Sequence, residues 1–248
     1  MSKKKISCIL ALLLMIGICV GGTLFLLHFI IDEEERIIMK GESYSINPDT
    51  ILEDLSENKI DVFTPQEEGQ PEKSREYVQW KPADYYLIAQ TLHELIWEEP
   101  LVAWNMSLII FDWDCENFDK GPQQAHFRYY KAEKMRERKS RFVSDVLVNP
   151  LENMVSGLRE EHYPRVVLWD AIDLAKLGVS AEEALDIAEK NGGAETRAAV
   201  GNSCQISVIL NPALPDYDGW QVMYTGNSLG VVDLYYIDPE TGELVAKK

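Results

Sequence analysis

Basic residues are in short supply in this chain, with 24 Lys and Arg against 41 Asp and Glu and a net charge of −17 at neutral pH. A surface of that balance repels nucleic acid and anionic lipid, so no nucleic-acid partner is expected, and the acidity is read as a solubility feature. Histidine is scarcer still. Of four histidines, three lie outside the N-terminal apolar run: His93, His126 and His162. His93-Glu94 starts like a zincin helix, but Trp97 stands where the second histidine is required, so the metalloprotease motif is not formed. There is no Gly-x-Ser-x-Gly elbow and no glycine loop that could cradle phosphate; Ser203, just before Cys204, stands outside any such pattern.

The acidic clusters fare no better. Residues 112–119 begin like a calcium loop, yet Asn117 takes the place of the obligatory sixth-position glycine and Gln123 that of the twelfth-position glutamate. A solvated strand-end loop is the simpler reading. Asp216 and Asp218, ahead of Gly219, read as a hairpin connection. No catalytic residue, cofactor site or metal ligand is therefore expected, and the chain is not expected to be an enzyme. Cysteine is limited to four positions, of which only Cys115 and Cys204 lie outside the apolar run. An oxidising compartment permits a bridge between them, which requires Cα atoms within about 7 Å, a distance that sequence does not supply.

What the chain does have begins at its N-terminus. Residues 6–31 are an apolar run preceded by Lys3, Lys4 and Lys5 and followed by Asp32, Glu33, Glu34 and Glu35. As a helix this run is roughly 39 Å long, enough to cross a hydrocarbon core of about 30 Å with tilt. It continues past Gly21 and Gly22, beyond the length of a signal-peptide core, and neither Cys8 nor Cys19 has lipoprotein context. The expected organisation is a cytoplasmic tail (1–5), a transmembrane anchor in membrane lipid (6–31) and a flexible acidic stalk (32–76) with one short helix near 49–58 capped by Asp49, followed by folded units over 77–157 and 158–248. The lysines would keep the N-terminus cytoplasmic, giving a single-pass cell-membrane protein with its bulk extracytoplasmic.

The folded part shows a repeated order of elements. A helix is expected over 83–98, then strands over 104–113, 126–132 and 141–148, ending in Asn149-Pro150. Ser180, with Glu183 in the capping-box position, starts a second helix that Asn191-Gly192-Gly193 stops. Strands over 204–210, 220–225 and 231–237 follow, ending in Asp238-Pro239 with Gly242 positioned for a left-handed turn. Short return strands are expected at 154–155 and 243–246. Lys131, Lys134, Arg136, Arg138, Lys139 and Arg141 form a basic island, read as a hairpin tip whose charges shield a sheet edge.

The segments Glu183-Ala184-Leu185-Asp186-Ile187-Ala188-Glu189-Lys190-Asn191-Gly192-Gly193, Trp220-Gln221-Val222-Met223-Tyr224 and Tyr236-Ile237-Asp238-Pro239-Glu240-Thr241-Gly242-Glu243-Leu244 resemble a PepSY domain. The likeness covers about 180–245. Residues 83–155 follow the same order as a degenerate copy, without the terminal glycine pair and with Asn153 at the turn. The resemblance implies an α+β fold of two helix-on-antiparallel-sheet units behind the transmembrane helix. It brings no catalytic residues. The function it implies is non-enzymatic: a membrane-anchored extracytoplasmic binding or modulatory protein acting on an extracellular peptidase. The alternative is a structural or sensory ectodomain that binds a cell-envelope component through the basic island or a groove between the units.

Overall fold

The computed structural model describes residues 38–57, 59, 61–66, 77–132, 141–161, 171–201, 204–211, 219–226 and 230–248. The chain divides into Met1–Ile37, which lies outside the described residues, and Ile38–Lys248, the unit described below. The expected anchor at 6–31 falls in the first. Among the described residues no helix is long and apolar enough to cross a membrane. The longest spans 16 residues and is amphipathic, whereas a membrane span needs about 20 predominantly apolar ones. The transmembrane helix and the single-pass cell-membrane localisation are corrected accordingly, and the expected contact of 6–31 with membrane lipid lies outside the described residues.

Among the described residues ten strands form one antiparallel sheet: β1 (Ile38–Ser45), β2 (Thr64–Pro65), β3 (Asn105–Asp114), β4 (Gln124–Ala132), β5 (Arg141–Asn149), β6 (Met154–Glu161), β7 (Cys204–Leu210), β8 (Trp220–Gly226), β9 (Gly230–Ile237) and β10 (Leu244–Lys247). Their spatial order is β10-β9-β8-β7-β3-β4-β5-β6-β1-β2. The expectation of two helix-on-sheet units is overturned by the β3–β7 pairing, which fuses both sets of strands into a single sheet. Its register places Trp113 opposite Ile206, Phe111 opposite Val208 and Ile109 opposite Leu210. Separate units would leave those backbone groups and that apolar surface unpaired at two edges, and joining satisfies both.

The fusion shows in one row of side chains. Tyr44, Val155, Val148, Ala125, Phe111, Val208, Val222 and Tyr235 are cross-strand neighbours from β1 to β9, and every one is buried. Side chains alternate faces along each strand, so this row marks the covered side of the sheet. Helix α2 (Pro82–Trp97) lies there against β4, β5 and β6, and helix α3 (Ala181–Ala188) against β7, β8 and β9. Proline starts α2, the Asp84 carboxylate accepts from the Lys81 amide at 2.7 Å, and Glu98 ends it in the left-handed conformation. In α3 the expected capping box forms: the Glu183 amide donates to Ser180 Oγ at 3.2 Å and the Ser180 amide to Glu183 Oε2 at 2.8 Å.

Three local differences from the sequence reading have physical causes. The acidic segment read as a stalk contributes, besides the short helix expected near 49–58 and found as α1 (Ile51–Ser56) with Thr50 and not Asp49 at its N-cap, the strands β1 and β2, because β1 zips onto β6 over eight residue pairs and buries Tyr44 against the core. That pairing lengthens the short return strand expected at 154–155 into β6. The helix expected to stop at Asn191-Gly192-Gly193 instead passes through a π-type turn, Glu189–Gly193, and resumes as α4 (Ala194–Val200). Gly192 takes φ +115° there, and Gly193 leaves room for the Tyr224 hydroxyl, which any Cβ would strike. The β3–β7 ladder, continued one step beyond Asp114 and Gln205, brings Cys115 to Cys204, and the two form a disulfide with Cα atoms 5.3 Å apart.

Candidate functional site

On the face opposite the helices, alternate residues of β4 and β5 put His126, Arg128 and Asp145 together. His126 Nε2 lies 2.8 Å from Asp145 Oδ1, and Arg128 Nε donates to the same oxygen at 2.8 Å. Burial opposes ionisation of Asp145, but the hydrogen bonds from His126 and Arg128 outweigh it and hold its carboxyl below the usual carboxylate range. Glu160, on neighbouring β6, moves the other way: burial, followed by the charge on Asp145, raises it. A groove of about 210 Å³ beside the cluster is lined by Gly41, Ser43, Asp145, Leu147, Ser156 and His126.

The sheet register decides what this cluster can do. His126 is paired with Leu147, and Leu147 with Ser156, so the closest hydroxyl on that row is two strands away, about 9–10 Å. A nucleophile must lie within about 3 Å of its base, and the intervening leucine blocks any closer approach. The groove is also below the roughly 300 Å³ at which small-molecule sites begin. Asp145, satisfied by two donors, serves as an ion-pair hub tying β4 to β5.

The other candidates separate in the same way. His93 is inside the core, with Nδ1 3.0 Å from Ser144 Oγ and its ring against Trp104 and Tyr129, far from any metal-binding arrangement. Asp112 accepts from Gln124 Nε2 and Ser207 Oγ, whereas Asp114 caps the 3₁₀ turn Cys115–Lys120 by accepting from the Glu116 amide. The two carboxylates are hydrogen-bonded to different partners. Among the described residues no group of three or more His, Cys, Asp or Glu could hold a metal ion. Lys131, from the basic island, pairs with Glu99 at 2.7 Å, and Lys134, Arg136, Arg138 and Lys139 lie outside the described residues. So do His162, Ser203, Asp216 and Asp218. Sequence reading passed over Asp145 and Arg128, although the polar residues alternating through His126, Arg128 and Tyr130 mark the uncovered face of a strand.

A different feature lies at one end of the sheet. The β10 strand covers only part of β9: Leu244 pairs with Ile237, Lys247 with Tyr235, and Lys248 exchanges both backbone hydrogen bonds with Leu234. Beyond that point Gly230, Val231, Val232 and Asp233 have no outer strand among the described residues. Val231 is 54% exposed, Val232 37% and Val245, on β10, 53%. Edges are normally shielded by charge, bulges or proline; here the register against β8 shifts at Val232, which lies between the Thr225–Val231 and Tyr224–Asp233 pairs, and Asp233 pairs with Lys247 at 3.1 Å, while the two valines remain exposed.

The chain matches no protein family model, no curated protein and no solved structure.

Proposed function

We propose that this chain is a non-catalytic binding or modulatory module that takes an extended segment of a protein partner onto the outer edge of β9. The observation that carries the reading is the valine-bearing edge at Val231 and Val232, both exposed and without an outer strand among the described residues. A strand added there gains main-chain hydrogen bonds along the edge and apolar contact with the exposed valines, a recognised mode of peptide capture. The separation of His126 from any hydroxyl in its row supports the absence of acyl-transfer chemistry. The resemblance of residues 180–245 to a PepSY domain supplies the partner class, a peptidase.

The test is a set of peptidase assays on the secreted fraction of the source organism, with and without the purified chain. A changed rate for one peptidase, with no hydrolysis by the chain alone, is the expected result. Unchanged rates for every peptidase would remove the modulatory reading, and hydrolysis by the chain alone would overturn the non-catalytic one.

A further inference from the structure

Polar atoms inside a protein core are nearly always hydrogen-bonded, and each exception calls for a partner. Around His93 four such atoms have none among the described residues: His93 Nε2, Trp97 Nε1, Trp104 Nε1 and the Tyr129 hydroxyl. All four residues are more than nine-tenths buried. Their rings form one cage, drawn from α2, the entry to β3 and strand β4. The His93 ring centroid lies 4.7 Å from that of Trp104 and 4.8 Å from that of Tyr129, and Trp97 is 4.5 Å from Trp104. Trp104 leans towards Glu99, whose carboxyl is held below its usual range by Lys131 first and by this indole to a smaller degree. The unpaired atoms of His93, Trp97 and Tyr129 have no such neighbour.

We propose that this cage is a binding site for a buried water molecule, which accepts from the Trp97 indole and the Tyr129 hydroxyl and donates to His93 Nε2. Counting donors and acceptors selects the arrangement. An indole N–H only donates, and a neutral imidazole carries one donor and one acceptor nitrogen. With Nδ1 3.0 Å from Ser144 Oγ, the ring can donate there and keep its Nε2 lone pair for the cage. The other tautomer would place one more donor among donors. Buried waters make about three hydrogen bonds to groups otherwise unsatisfied, the number these atoms offer. One water also spans two atoms up to about 6 Å apart, twice an ordinary hydrogen bond. An apolar occupant would leave the same atoms unpaired. An anion would face Glu94 and Glu99, whose charges act on His93. A cation would compete with Arg159, 4.1 Å from the centroid of the Trp97 ring, and with Lys131, 5.9 Å from that of Trp104. The water would tie α2 to β4, beside the direct bond from His93 to Ser144 on β5.

Nuclear magnetic resonance on the nitrogen-15-labelled full chain at neutral pH tests both halves of the proposal. The long-range histidine spectrum should show His93 as the Nδ1–H tautomer. Selective inversion of the water signal should transfer magnetisation to the Trp97 indole proton, although that group is closed to solvent. The transfer should persist in Tyr129→Phe, which removes the cage hydroxyl that could relay it by exchange and leaves the water its bonds to Trp97 and His93. If Tyr129→Phe does not fold, the tautomer and the transfer in the parent chain decide together. A neutral His93 protonated on Nε2 overturns the proposal. So does the absence of transfer to Trp97, or its loss in folded Tyr129→Phe.

Discussion

His93 and Ser144 join α2 to β5 through a hydrogen bond buried within the core, Nδ1 to Oγ at 3.0 Å, with both residues at most 1% exposed. The imidazole sits among Trp97, Trp104 and Tyr129, and among the described residues its Nε2 has no hydrogen-bond partner. A neutral ring tolerates that setting. An imidazolium would need a second acceptor, and among the described residues none is hydrogen-bonded to Nε2. The residue that starts the zincin-like pair in sequence therefore acts as a packing element with a titratable ring.

Acid should loosen the fold through His93. Burial pushes its pKa down to about 4, against the opposing charges of Glu94 and Glu99. The unfolded chain binds the proton from about pH 6.5 downward and the folded one only near pH 4, so stability is complete above pH 6.5 and falls as pH drops through that window. The shift corresponds to roughly 3 kcal/mol across the window. Urea unfolding at pH 7.5 and 4.5 measures the loss, and in His93→Phe the difference between the two pH values should shrink by about that amount. An equal pH dependence in the variant would assign the acid loss elsewhere.

Breaking the Cys115–Cys204 bridge should destabilise the fold more than the loss of His93 ionisation control does. The bridge spans 89 residues of sequence, for which loop-closure entropy corresponds to about 4 to 5 kcal/mol. Peptide mapping after alkylation under denaturing, non-reducing conditions should find neither cysteine modified. The Cys115→Ala, Cys204→Ala double variant should melt well below the parent, and equal melting temperatures would show that the bridge contributes nothing. Because β3 and β7 meet beside it, the bridge locks the junction that makes one sheet out of two sets of strands.

How much of this was legible in sequence depended on the range of the interactions. The capping box at Ser180 and Glu183, the left-handed turn residues Asn153 (φ 49°) and Gly242 (φ 76°), and the alternating strand from Cys204 to Leu210 are all set by neighbours a few residues away. The pairing of Phe111 with Val208 links positions about a hundred residues apart, and nothing in either strand names its partner. The same holds for β1, whose acidic flanks resemble a stalk until β6 is beside it. In the candidate site, His126 was visible as one of few histidines. Its partner Asp145 was not, because the two are brought together by a register set across the β4–β5 hairpin.

Gly193→Ala should destabilise the second half of the sheet. The added methyl would strike the Tyr224 hydroxyl, which donates to Glu189 Oε1 at 2.7 Å, and Glu189 in turn accepts from Arg197 Nη2 at 2.7 Å. Tyr224 is itself fully buried, so it cannot swing aside. Overpacking of this kind costs about 1–3 kcal/mol. Thermal melts of Gly193→Ala, compared with Glu195→Ala nearby on α4, measure it; equal melting temperatures would show that the turn has slack.

The edge of β9 makes the final prediction, which separates folding from binding. Val231 and Val232 are substantially exposed and lie beyond the last β10 pairing, so Val231→Lys with Val232→Lys should change the melting temperature little. Lysine on an edge strand discourages addition of another strand, so the variant should lose partner binding and any effect on peptidase rate while remaining folded. Main-chain hydrogen bonds and apolar contact are weakly screened, and the interaction of the parent chain should accordingly persist from low salt to about 0.5 M. Binding that survives both substitutions would place the contact elsewhere on the molecule. Binding that vanishes with salt alone would make the interaction electrostatic, and the edge would then have no part in it.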